Sequence, residues 1–164
     1  MRCDLLSGMI YGFFIFLFHC FLAFITLTGF ITYNDGELSG LCLPGWQRLH
    51  LSEIPFDRLR NQHIKGYELV KSSHTRRVVR LRFTPAGTDH PVTVYIKRNA
   101  IRTKWRRLKS LFGRSKARRE WCLGNRLLAV GINTPRPLIW AEDRRGPFLR
   151  AAYLVISGLE EMKD

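Results

Sequence analysis

Hydrophobic and polar positions change their rhythm along this chain, and each change predicts a different kind of element. From Leu5 to Asn34 there is no charged residue, and "MIYGFFIFLFHCFLAFITLTGFI" (9–31) is almost wholly apolar. As a helix it would span about 34 Å, enough for a hydrocarbon core of about 30 Å. "NDGELSG" (34–40) and "LPGW" (43–46) are rich in Gly, Pro and Asn and read as a linker. From Tyr67 short apolar runs alternate with turns. "YELVK" (67–71), "RVVRLRF" (77–83) and "VTVYIK" (92–97) predict three antiparallel strands, the second alternating Val79, Leu81 and Phe83 against Arg80 and Arg82.

A helical stretch follows, with Ile101, Trp105, Leu108, Leu111 and Phe112 forming an apolar stripe. "FGRS" (112–115) breaks it. Ser115 can cap a second helix that runs to about Val130, with Gly131 at its C-terminal turn and Pro135 shortly beyond. "PLIWAE" (137–142) and "PFLRAAYLVIS" (147–157) predict two further strands joined by "DRRG" (143–146). The order is three strands, helix, two strands.

Charge changes the picture. Of 164 residues, 27 are Lys or Arg against 13 Asp or Glu, a formal net charge of +14 that favours anionic partners. Between residues 98 and 119 ten Lys and Arg follow one another without an acid, and then comes Glu120. A solvated helical face and contact with anionic lipid or phosphorylated sugar are both open for that run. Apart from Arg2 and Asp4, every charged residue lies after the hydrophobic run, so the basic part is expected on the cytoplasmic side of the membrane. A cleaved signal peptide and a misread upstream start codon compete with the membrane anchor. Cys3, Cys20, Cys42 and Cys122 are widely spaced, which predicts free thiols, and no zinc or other metal spacing is present.

The strand order resembles the small lobe of a protein kinase, a five-stranded antiparallel sheet with one helix inserted after the third strand. "VYIK" ends on Lys97 where kinases carry V-A-I-K, and Glu120 falls on the following helix. "VYIKR" followed by "SKARREWCLGNRLLAVGINTPRPLIWAE" (115–142) is similar to the small lobe of the lipopolysaccharide kinases of the Kdo/WaaP type. The resemblance implies ATP as cofactor and phosphorylation of a Kdo or heptose sugar in the lipopolysaccharide core. Lys97 would meet the nucleotide phosphates and Glu120 would orient Lys97. "KSSHTRR" (71–77), with Ser72 and Ser73, would replace the phosphate-covering loop, although it contains no glycine. "VISGLEE" (155–161) would be the hinge.

A large lobe would follow the hinge and supply the catalytic Asp and Mg²⁺ ligands. The chain has no H-R-D, H-x-D or D-F-G, so no catalytic or metal-binding residue is assigned. The expectation is an α+β chain with a membrane anchor or signal-like segment (1–33), a linker and extension (34–66), and a truncated kinase-like lobe (67–164), inactive alone. A missing large-lobe polypeptide would then be a partner. Two other readings stay open: a membrane-tethered basic module for anionic lipid or nucleic acid, and a pseudokinase scaffold. Against nucleic acid stands the lack of an aromatic-rich strand or a helix-turn-helix.

Overall fold

The structure is a computed structural model, and it describes residues 29–59, 64–111 and 113–158. Seven strands form one sheet: β1 (Ile31–Asp35), β2 (Leu38–Cys42), β3 (Tyr67–Ser72), β4 (Arg76–Phe83), β5 (Val92–Ala100), β6 (Pro137–Arg145) and β7 (Phe148–Ser157). Their order across the sheet is β1-β2-β6-β7-β5-β4-β3. Two helices, α1 (Lys104–Lys109) and α2 (Lys116–Ala129), stand between β5 and β6. The pairs β2–β6, β6–β7, β7–β5, β5–β4 and β4–β3 are all antiparallel.

The expected five-stranded lobe with one helix behind a membrane-crossing helix is corrected by these elements. The end of the stretch read as an anchor (31–33) and the stretch read as a linker together supply β1 and β2. Gly36 and Glu37 form a two-residue loop in which Gly36 takes φ +61° and Glu37 does not go positive, the pattern of a tight hairpin turn. The same Asn, Asp and Gly that suggest a linker are thus hairpin residues. Among the described residues no helix is long and apolar enough to cross a membrane. The hydrophobic run lies outside the described residues as far as residue 28.

The helix expected after β5 is present as α1, and its apolar stripe is uncovered. It buries no residue, and Trp105 and Leu108 are 63% and 45% exposed. Phe112 lies outside the described residues. α2 matches its expected start and stop. Ser115 caps it by accepting a hydrogen bond from the Arg118 amide (3.1 Å), and Gly131 follows with φ +78°.

The two faces of the sheet are covered differently. Side chains alternate along a strand, so Lys97, Leu154 and Trp140, which pair across β5, β7 and β6, share one face. α2 lies on this face, burying Ala117 and Trp121, with Trp121 edge-on to Trp140 at 6.3 Å. Val79, Ile96, Val155 and Ile139 share the other face and are fully buried. The segment 46–59 covers it with Trp46, Leu49, Leu51, Ile54, Phe56 and Leu59, all buried. Trp46 meets Phe83 at 5.5 Å and Phe56 meets Tyr153 at 5.9 Å. With both faces covered, β6 and β7 read as continuous apolar runs instead of alternating ones.

Polar anchors fix the cover. The buried Arg77 guanidinium donates to the Phe56 carbonyl (3.0 Å) and pairs with Asp57. Asp35 accepts from the Ser52 amide (2.7 Å), the Ser52 hydroxyl (2.8 Å) and the Tyr33 hydroxyl (3.1 Å). Burial alone would raise the Asp35 carboxyl, but these bonds and His50 outweigh it and hold it below the ordinary carboxylate range.

Candidate functional site

Lys97 sits on a central strand, flanked across the ladder by Val78 of β4 and Leu154 of β7. Both neighbours are apolar, so the lysine stem is enclosed and its side chain is 23% exposed. α2 crosses this face and carries Glu120 one residue before the buried Trp121. The result is an ion pair, with Lys97 Nζ 3.8 Å from Glu120 Oε2. That separation exceeds hydrogen-bond reach, so the pair attracts as charges without sharing a proton. The other carboxylate oxygen lies 3.7 Å from Lys116 Nζ, one helical turn back.

Burial pushes the Lys97 ammonium down. Glu120 pulls it back up, while Arg76 and Lys116 push it down further, and the outcome lies below the ordinary lysine value. Lys97 and Lys116 share the Glu120 carboxylate and Arg76 acts on Lys97, so these four side chains together carry a net positive charge.

Two further residues belong here. Arg76 and Asn99 pair directly across β4 and β5, two positions beyond Val78 and Lys97, and so project on the same face as Lys97. Arg76 Nε and Asn99 Nδ2 are buried and have no hydrogen-bond partner. A buried donor left unmade costs about 1–3 kcal/mol, so two of them beside a desolvated lysine form a cradle for acceptor oxygens. In "IKRN" the period of two puts Asn99 on the face of Lys97, but only the β4–β5 register brings Arg76 beside them.

The loop serines are placed otherwise. Ser73 closes the β3–β4 turn on itself: its hydroxyl donates to the Arg76 carbonyl and accepts from the Arg76 amide, both at 3.1 Å. Ser72 pairs with Arg77 and therefore lies on the face opposite Lys97. The structure brings together Lys97, Glu120, Lys116, Arg76 and Asn99. It does not bring Ser72 onto that face, and Ser73 spends its hydroxyl on the Arg76 backbone.

At the far end of β7 the Gly158 amide donates to the Thr93 carbonyl (2.8 Å), and the Arg136 amide donates to the Ser157 hydroxyl (2.9 Å). These bonds fix the start of the expected hinge, whose residues 159–161 lie outside the described residues. Lys97, Arg76 and Asn99 fit a phosphate-bearing cofactor such as ATP, since all three offer donors to oxygen. Among the described residues no group of three or more His, Cys, Asp or Glu side chains converges on a common point.

No curated protein and no solved structure matches the chain. Its residues 63–164, which hold β3 to β7 and both helices, match the family model described as lipopolysaccharide kinase (Kdo/WaaP) family. The match spans most of the chain: it belongs to the lipopolysaccharide kinase (Kdo/WaaP) family.

Proposed function

We propose that this chain provides the nucleotide-binding lobe for ATP-dependent phosphorylation of a Kdo or heptose sugar in the lipopolysaccharide core. The observation that carries the reading is the approach of Lys97 and Glu120 to 3.8 Å from two elements far apart in sequence, in a group of side chains that carries a net positive charge. When bound, ATP supplies the phosphoryl group. Lys97 and Arg76 hold its phosphate oxygens, Asn99 adds a neutral donor, and Glu120 keeps Lys97 from swinging out to solvent.

Arg76 answers a problem the sequence raises. A phosphate-covering loop without glycine keeps its backbone amides away from the nucleotide. A guanidinium at the base of that loop replaces them with a forked donor.

The test is a titration with a fluorescent ATP analogue. Lys97→Met and Arg76→Met are each expected to weaken binding by about tenfold or more, as expected for loss of a charge-assisted bond. Arg126→Ala, equal in charge lost but exposed on α2, is expected to change it less than about twofold. Equal losses for Lys97→Met and Arg126→Ala would reduce the site to general positive charge and overturn the reading.

A further inference from the structure

A second cationic site lies at the other end of the sheet. α1 and the β6–β7 turn face each other across an open cleft of about 760 Å³, walled by Lys104 and Arg107 on one side and by Arg145, Phe148 and Arg150 on the other. It is separate from Lys97. Leu154 is the β7 partner of Lys97, and Phe148 lies six positions further along the strand, about 20 Å at the rise of an extended chain.

The charges in the cleft are not all spent. Arg150 is engaged by Glu37 (3.0 Å) and Asp143 (3.8 Å). Arg107 Nε reaches the Ile101 carbonyl at 3.4 Å. Lys104 and Arg145 are both exposed and have no acidic partner among the described residues. No acid lines the cleft itself. Cations from two separate elements thus converge on one volume, where a group with several anionic oxygens can meet them together.

The walls add a second property. Phe148 is 43% exposed and stands beside Pro147 at the turn, both lining the cleft. A charged cleft with an uncovered aromatic ring in its wall suits a ligand with an anionic head and an apolar body.

We propose that this cleft is a phosphate site for an amphiphile, holding a phosphate monoester headgroup between Lys104 and Arg145 with Phe148 against the apolar part. The fold supports the geometry: the Ile101 amide donates to the Arg150 carbonyl (2.8 Å), and the Leu149 amide donates to the Ser110 hydroxyl (3.3 Å), so α1 is tied to β7 at both ends.

The experiment titrates the full chain with monomeric dihexanoyl phosphatidic acid, dihexanoyl phosphatidylcholine and inorganic phosphate by calorimetry. Phosphatidic acid is expected to bind, phosphatidylcholine not. Arg145→Glu and Lys104→Glu are each expected to weaken phosphatidic acid binding by about tenfold or more. Phe148→Ala is expected to weaken phosphatidic acid while leaving inorganic phosphate unchanged. Arg126→Glu, an equal charge reversal at an exposed position of α2, is expected to leave both unchanged. A loss with Arg126→Glu equal to that with Arg145→Glu would overturn the site. Inorganic phosphate binding as tightly as the lipid would overturn the amphiphile.

Discussion

Gly124 of α2 rests against the ring of Pro137 at the start of β6: a Cβ on Gly124 would stand 2.6 Å from Pro137 Cγ. A glycine inside a helix ordinarily costs about 1 kcal/mol relative to alanine. Here it allows the helix to lie close to the sheet, which is what brings Glu120 to Lys97. Gly124→Ala is therefore expected to lower stability by about 1–2 kcal/mol in urea unfolding instead of raising it. It is also expected to weaken ATP-analogue binding, because the shift moves Glu120. A more stable variant with unchanged binding would refute the link.

Lys97 is expected to be a residue the fold would do better without. Its ammonium is partly desolvated and its folded value is depressed, so the unfolded chain holds the proton more tightly. Stability then rises as pH climbs through that depressed value towards the ordinary lysine range. Lys97→Met is expected to remove the alkaline rise and to stabilise the chain at pH 7 by about 1 kcal/mol while weakening nucleotide binding by about tenfold or more. Thermal melts across pH, beside the binding titration, read both.

Asp35 predicts a slope of the same sign in a separate, acidic window. Its folded value is depressed, so its contribution is present above the ordinary carboxylate value and is lost as pH falls through the depressed one. Asp35→Asn is expected to cost about 1–2 kcal/mol at pH 7 and to flatten stability loss below about pH 4. The wild-type and variant curves should converge in acid, as measured by urea unfolding at stepped pH.

The segment before the family-matched span is expected to be indispensable. Val79, Ile96, Ile139 and Val155 are wholly buried, and residues 46–59 cover their face. A fragment of residues 63–164 would expose that face along the whole sheet. It is expected to bind a hydrophobic dye and to elute as aggregates, whereas residues 29–164 are expected to give a sharp melting transition. A monomeric, cooperatively melting fragment would contradict this.

Strands β3 to β7 and α2 were legible because their signals are local: alternation, a serine cap and a glycine stop. The β1–β2 hairpin was not. Its inward positions include Asp35, a buried carboxylate satisfied by residues 15 to 17 positions away, so the alternation of Tyr33 and Asp35 against Thr32 and Asn34 looks polar throughout. α1 was legible as a helix, but its exposure was not. Periodicity shows that Trp105 and Leu108 share a stripe but cannot say whether anything covers it. At the candidate site, Lys97 and Glu120 came from resemblance, whereas Arg76 and Asn99 needed the β4–β5 register.

The position of β7 in the sheet has a consequence for how the chain folds. It follows every other strand in sequence yet lies between β5 and β6. Before residues 148–157 are in place, β1-β2-β6 and β3-β4-β5 share no ladder and remain two half-sheets, each with an open hydrogen-bonding edge. Folding during synthesis is therefore expected to wait for this strand, and the ribosome-bound chain carries those edges until β7 closes them in one late, long-range step.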